Sequence, residues 1–309
     1  MRTAESSELL HAFSVDLEDG YSLYLGQMGE PHPPTRSVVA LTERILAFLD
    51  EKHVKTTFFA LGEIAAAFPE LIRRIAGAGH ELGVHGYDHR KAFELSPEQM
   101  REQISRTRKM LEDLTGDEIR GFRAPAFSIR PDTTWVLELL AEEGFAYDSS
   151  IFPCRGRRYG WPGFPSVPVR ITLAGGRSIL EVPMPTFQWL GRSWPLAGGG
   201  YLRHFPWWYT RFAANRCIRN RQPIVVYFHP YDIDADGETA PTAFRTRRKT
   251  LSLGRTCYLW TQEHNRASVL TKLAKLLELG RFGTVKHLLA SRLNCIENVD
   301  LSPLCNCGG

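Results

Sequence analysis

Glu81-Leu82-Gly83-Val84-His85-Gly86-Tyr87-Asp88-His89 joins a short apolar run to two histidines spaced four apart. The run reads as a short buried strand, which puts His85 at a strand's C-terminal end, where α/β barrels carry their chemistry. Histidines four apart share a face if the backbone there is helical, so both imidazoles can reach one ion. In isolation the same spacing more often describes a pair of surface histidines. Near the start of the chain, Asp16-Leu17-Glu18-Asp19 offers the carboxylate that a two-histidine catalytic metal site needs, with a position left over for water or substrate.

Outward from that stretch the pattern alternates. Residues 11–16 have the apolar content of a buried strand ending in acids, and a Gly- and Pro-rich loop covers 26–34. Thr35 is placed to cap an amphipathic helix running to Leu49, and residues 54–61 form the second strand. Pro69 opens a helix stopped by Gly77 and Gly79. Ser96-Pro97-Glu98-Gln99 is a capping box for a long helix ending at Gly116. Residues 119–125 are the fourth strand, 133–143 a helix stopped by Gly144, and 145–148 the start of the fifth strand. Residues 151–200 are irregular and rich in Pro, Gly and Trp, with one strand at 179–183. Pro206 starts a helix carrying Trp208, Phe212 and Ile218, and residues 223–229 form an apolar strand ending in His229. Residues 241–255 read as a polar loop and 267–279 as a helix, followed after Phe282 by a short helix and a loose tail.

Strands alternating with helices predict an α/β fold with a parallel sheet and crossover helices. Ionisable residues recur at the strand ends, namely Asp16, His85, Arg123, Asp148 and His229, and a barrel would bring those ends to one mouth. The expected organisation is one barrel-like domain over 1–309, with a core of 11–285 and a tail of 286–309.

With 309 residues, 43% of them hydrophobic and 23% charged, the chain can bury a full core and is not of disordered composition. A net charge of +4 is mild. It suits an anionic substrate or membrane surface, but no basic block or nucleic-acid motif points to DNA or RNA. Arg155, Arg157, Arg158, Arg245, Arg247 and Arg248 fall in predicted loops. No run is long enough for a signal peptide or a membrane span, so the expectation is a cytoplasmic protein whose six scattered cysteines are reduced thiols, Cys305-Asn306-Cys307 included.

In their order, these motifs resemble the polysaccharide deacetylase family (carbohydrate esterase family 4, the NodB-homology domain), from about Phe13 to Phe282. The likeness is strongest to the bacterial branch found with exopolysaccharide gene clusters, where the acidic motif reads V-D-x-E-D. The resemblance implies a distorted barrel with fewer than eight repeats, a divalent metal, and hydrolysis of an N-acetyl group on a sugar. It implies that His85 and His89 bind the metal and that Asp16 is the general base. Asp19 would be the carboxylate ligand, with Glu18 as the alternative. Glu18 shares a strand face with Asp16, whereas Asp19 has the shorter side chain that the family uses at this place. Arg123, in Arg123-Ala124-Pro125-Ala126-Phe127, would hold Asp16 ionised. His229 would be the general acid, and Asp148 stands where the family places an aspartate that orients the catalytic histidine.

By the same resemblance, the metal polarises the acetyl carbonyl and activates water, Asp16 takes the water's proton, and His229 protonates the departing amine. Zinc is the expected ion, and a His/carboxylate set also suits cobalt or nickel. Gly200, Tyr201 and Phe127 are the candidate substrate contacts. Trp161, Trp189, Trp194, Trp207 and Trp208 are sugar-stacking faces or core, with one or two expected near the mouth. The substrate would be an N-acetylhexosamine in a glycan, a lipid-linked precursor or a nucleotide sugar, and a lipid-linked one would bring transient contact with a membrane surface. Two further readings are hydrolysis of a ureide or imide on the same site, and a catalytically inactive carbohydrate-binding homologue.

Overall fold

The structure, a computed structural model, describes residues 9–20, 33–156, 159–237 and 253–301. The expectations placed on residues 26–32, on Arg157 and Arg158, on 241–252 with Arg245, Arg247 and Arg248, and on Cys305 and Cys307 lie outside them. The described cysteines Cys154, Cys217, Cys257 and Cys295 are free.

Strand β1 (Leu10–Leu17) shows the alternation that organises the molecule. Phe13, Val15 and Leu17 join the large apolar cluster shared with the helices, while Ala12, Ser14 and Asp16 face the other way. Helix α1 (Ser37–Glu51) buries Val38, Leu41, Ile45 and Leu49 in that large cluster. Next come β2 (Thr57–Ala60), the short α2 (Gly62–Ala67), α3 (Pro69–Gly77) and β3 (Glu81–Val84). Helix α4 (Pro97–Thr115) has the expected capping box: Gln99 N–H donates to Ser96 Oγ at 3.3 Å and Ser96 N–H to Gln99 Oε1 at 3.0 Å. It ends at Gly116, whose φ of +75° is the left-handed stop. Then follow β4 (Gly121–Phe122), α5 (Trp135–Glu142) and β5 (Tyr147–Asp148).

The stretch expected to be irregular holds β6 (Val169–Thr172), β7 (Ser178–Glu181), the hairpin β8 (Thr186–Trp189) and β9 (Arg192–Pro195), and α6 (Gly199–His204). Helix α7 (Trp207–Arg219) leads to β10 (Val225–Phe228). Helices α8 (Leu253–Glu263) and α9 (Val269–Leu277), strand β11 (Arg281–Gly283), α10 (Val285–Arg292) and β12 (Glu297–Asp300) complete the described chain. Instead of the loose tail expected after the last helix, β12 pairs in parallel with β6. α10 adds Val285, Leu288 and Leu289 to the apolar cluster on the inner face of β1, and its Val285 N–H donates to Thr57 Oγ1 at 2.8 Å.

The ten-stranded sheet has the order β10-β1-β2-β3-β4-β5-β7-β6-β12, with β11 against the start of β1. Every pairing in it is parallel except β6 with β7. Helices cover the outer face, and among the described residues the two ends of the sheet are not paired, which makes the barrel a distorted, open one. Register positions the site. Leu17, Ala60, Val84, Phe122, Asp148 and Glu181 are successive partners across six strands, so the residues one step later emerge together at the C-terminal mouth. Below that level Phe59 points inward, and Gly83 and Gly121 make room for it and for Tyr147. A Cβ at Gly83 would lie 2.7 Å from the Phe59 ring, and one at Gly121 would lie 2.3 Å from the Tyr147 hydroxyl.

Candidate active site

His85 emerges from β3 as the sequence pattern requires, but the segment that carries it to His89 is a loop and not a helix. The two imidazoles converge because Gly86 (φ +79°) and His89 (φ +61°) both adopt the left-handed conformation. Neighbouring helices hold that loop. The first N–H groups of α2, on Gly62 and Glu63, donate to the carbonyls of Gly86 and Tyr87 at 3.1 and 3.0 Å. From α4, Thr107 Oγ1 donates to the Gly86 carbonyl at 3.1 Å, and Gln103 accepts from Tyr87 N–H while donating to Asp88.

His85 Nδ1 lies 2.8 Å from the backbone carbonyl of Arg123. A carbonyl can only accept, so Nδ1 carries a proton and Nε2 is the nitrogen turned into the site, toward Glu18. Glu18 Oε1 is 3.0 Å from His85 Nε2 and 3.0 Å from His89 Nε2. These three donors lie within 4.8 Å of one another, as do those of Asp16, Glu18 and His229. Glu18 is buried, which opposes its charge, but His89 and His229 and the hydrogen bonds from His85 and His89 outweigh burial. They hold the carboxyl well below its usual range. The same pairing outweighs burial at His89 and raises its pKa.

The structure brings the alternative acid, Glu18, and not the favoured Asp19, to the histidines. Glu18 continues the parity of Ala12, Ser14 and Asp16 and faces inward with them. Asp19 has the opposite parity and faces α1, where it accepts from Thr35 N–H at 2.5 Å and Ser37 Oγ at 3.1 Å. That carboxylate, not the Thr35 side chain, supplies an acceptor at the start of the helix. Beside the cluster, burial pushes the Glu63 carboxyl up to about 7.

Arg123 leaves β4 fully buried over the Phe59 ring, 4.3 Å from its centroid. One terminal nitrogen donates to Asp16 Oδ1 at 2.7 Å and to Ser14 Oγ at 2.8 Å. Nε and the other nitrogen hold the Ser149 carbonyl and hydroxyl, each at 2.9 Å. This fixes the guanidinium on four acceptors and leaves Asp16 Oδ2 turned to the site, 3.9 Å from His229 Nε2.

His229 follows β10 on the inward parity. Its Nδ1 is 2.8 Å from Asp232 Oδ2, and its ring stacks on Tyr231 with centroids 4.6 Å apart. Asp232 is itself buried, 2.8 Å from Arg203 Nε. Burial alone would lower the His229 pKa, but Asp232 first, then Glu18 and Asp16, raise it to about 9. His11 and His80, near the N-terminal ends of β1 and β3, contrast with it. Burial brings both down to about 4, and each accepts a backbone N–H.

Asp232, and not Asp148, is therefore the aspartate that the structure places beside His229. Asp148 sits deeper and accepts from Ser150 Oγ at 2.5 Å. It forms an acid pair with Glu181, in which burial and the mutual repulsion of two carboxyls push the Glu181 pKa far up. The signal for Asp232 was present in His229-Pro230-Tyr231-Asp232. A proline at the first position of a turn, with an acid two residues on, returns that acid to the residue before the proline. Arg203 had no readable signal, because it reaches Asp232 only through the placement of α6.

The glycines act one step earlier than expected. A Cβ on Gly198 would lie 2.3 Å from the Tyr227 ring, and one on Gly199 would lie 3.2 Å from His229 Cε1. These two residues let α6 approach the site. Gly200 and Tyr201 are half-buried beside it, with the Tyr201 hydroxyl 2.6 Å from that of Tyr159. Phe127 is buried against Tyr227, with centroids 4.6 Å apart, and both it and Ala126 have left-handed backbone. Of the tryptophans, Trp161 is core, Trp194 and Trp207 are half-buried, and Trp189 and Trp208 are exposed.

Residues 30–145 match the polysaccharide deacetylase family, and residues 149–290 match a domain of unknown function, DUF3473, which marks the exopolysaccharide-associated branch. Residues 30–145 thus carry a polysaccharide deacetylase domain. Among relatives, it is 31% identical over 152 residues to a peptidoglycan deacetylase of Helicobacter pylori, covering 47% of this chain and 50% of that one. It is 40% identical over 97 residues to a peptidoglycan-N-acetylglucosamine deacetylase of Bacillus cereus, covering 31% and 33%. It is also 32% identical over 105 residues to a chitooligosaccharide deacetylase of Azorhizobium caulinodans, covering 34% and 47%. The chain thus spans half or less of the length of these deacetylases. A crystal structure of a Mycobacterium smegmatis protein assigned as a polysaccharide deacetylase shares the fold, with a TM-score of 0.64 at 21% identity over 95% of this chain and 94% of that one.

Proposed function

We propose that this chain is a metal-dependent N-deacetylase that hydrolyses the acetamido group of an N-acetylhexosamine in a glycan or glycan precursor. The observation that carries the reading is the convergence of His85 and His89 on Glu18, each 3.0 Å from its Oε1, beside an Asp16–His229 pair held apart at 3.9 Å. Two neutral imidazole nitrogens and a carboxylate oxygen, one imidazole fixed by a backbone carbonyl, are a donor set that fits a divalent ion such as zinc. When bound, such an ion polarises the acetyl carbonyl and makes water a better nucleophile at neutral pH.

This chain's own residues supply the rest. Arg123 holds Asp16 in place, so Oδ2 can accept a proton from the attacking water. His229 is cationic at neutral pH, because Asp232 holds its Nδ1 proton and outweighs burial. Its Nε2–H therefore points into the site opposite Asp16. As the C–N bond breaks, that proton passes to the amine nitrogen, giving acetate and a free amino sugar. Gly200 and Tyr201 border the site as sugar contacts, while Phe127, being buried, supports Tyr227 and Arg123 from beneath. The distance between base and acid, short enough to flank one tetrahedral carbon, favours hydrolysis over binding alone.

Acetate release should be assayed over N-acetylated chitooligosaccharides, nucleotide sugars and ureides, with the protein stripped by a chelator and reloaded. Metal-dependent acetate release from the acetamido sugars supports the reading. Turnover of the ureides alone would assign the site to another amide, and glycan binding with no turnover of any substrate would leave an inactive binding protein.

A further inference from the structure

Outside the catalytic cluster, the most unusual surface is the tip of the β8–β9 hairpin together with one face of α7. Leu190, at the tip, is 82% exposed, and beside it Trp189 is 43% exposed; on α7, Trp208 is 70% and Phe212 40% exposed. Trp208 and Phe212 are one helical turn apart and share a face, and the Trp189 and Phe212 rings, 6.3 Å apart, join hairpin and helix into one patch. Leu190 is also held at φ +50°, a backbone state that asparagine, aspartate or glycine fills at lower cost. A turn that keeps an aliphatic side chain both strained and exposed gains nothing for the fold from that residue.

Charge says what the patch meets. From Val182 to Tyr231 the chain contains six arginines and no Asp or Glu. Two of those arginines, Arg192 at the hairpin and Arg211 on α7, are exposed beside the aromatic rings. Tryptophan, leucine and arginine together are the composition of a surface that rests in a bilayer interface. The rings sit at headgroup depth, the aliphatic tip goes deeper, and the guanidinium groups meet anionic headgroups. A second copy fits poorly, since a two-fold contact through this face would set arginine against arginine with no carboxylate to relieve it. A neutral glycan would use the flat rings but neither the arginines nor a projecting leucine.

We propose that the β8–β9 tip and the exposed face of α7 form a docking surface for an anionic lipid bilayer. β9 runs directly into the glycines that bring α6 against His229, so docking would set the site mouth beside a lipid-borne substrate. Only that last consequence rests on the deacetylase reading, and the vesicle test below does not use activity.

The test is co-sedimentation of the full chain with vesicles of phosphatidylglycerol and phosphatidylcholine, and with phosphatidylcholine alone. Binding to the mixed vesicles, lost in high salt, is expected. Leu190→Asn with Trp208→Ser should weaken it by about tenfold or more. Arg192→Gln with Arg211→Gln should do the same on the mixed vesicles only. Leu190→Asn alone should unfold at the same or a higher temperature, because asparagine suits the left-handed turn, so a loss of binding cannot be a loss of fold. No binding to the mixed vesicles at low salt, equal binding to phosphatidylcholine alone, or unweakened binding by the variants would overturn the proposal. So would concentration-dependent self-association abolished by the same variants, which would assign the face to a second copy.

Discussion

Replacing Asp232 with asparagine separates charge from shape at the proton donor. The asparagine keeps a side-chain oxygen that can accept the Nδ1 proton of His229, so the ring stays oriented while the buried negative charge is lost. His229 stands at about 9 against an ordinary 6.5, a preference for the cation of about 3 kcal/mol. Burial is the largest influence on it and acts in the opposite direction, and Asp232 leads the charges that overcome burial. Without that charge the imidazole should fall back to its ordinary value or below, a drop of about 2.5 pH units or more. A group with a raised pKa is protonated below it, so the wild-type acid is cationic through neutral pH and the variant is not. Imidazole NMR of the metal-free protein reads this directly, and the alkaline limb of the rate profile should move to lower pH with it. Because Glu18 is among the charges that raise His229, adding a divalent ion to the wild type should also lower the His229 pKa. A movement of less than about half a pH unit in the Asp232→Asn protein would show that Asp232 does not set the acid's charge.

Glu18→Ala should lose metal affinity by more than about a hundredfold and lose activity with it. Asp19→Ala should keep its metal and lose only about 1 kcal/mol of stability at the start of α1; equal metal loss in both would reverse the assignment. Metal affinity should also fall with acid, because a proton on His89, which Glu18 favours, competes with the ion; a flat pH dependence in a calorimetric titration would contradict this. Asp16→Asn should retain metal while turnover falls by about 10²–10⁴-fold, and near-normal acetate release would place the base elsewhere. His229→Ala should cost about a hundredfold more on an amide than on an aryl acetate, whose phenolate leaves unprotonated; equal losses would remove His229 as the acid.

What could be read from the sequence followed from local periodicity. β3 with His85 at its end, the capping box at Ser96 and the strand leading to His229 are each set by a few consecutive residues, and each has its expected place in the structure. The choice between Glu18 and Asp19 depended on how far strand parity persists beyond Leu17, and it persists one residue more. The helical geometry read into His85–His89 failed because the same convergence can come from two left-handed residues in a loop pinned by α2 and α4. The hairpin β8–β9 and the strand β6 were missed because prolines and glycines around them mask the alternation. Parallel register buries Asp148 one level below the mouth, and the aspartate that lies beside His229 is Asp232.

The central claim is that Glu18, His85 and His89 hold an ion that makes this site a deacetylase. A titration of zinc into the chelator-stripped protein, with acetate release from an N-acetylated sugar as the readout, tests it most directly. Release should be absent without metal and should saturate at one equivalent. Full release from the stripped protein, or none at any zinc level from any acetamido sugar, would contradict it.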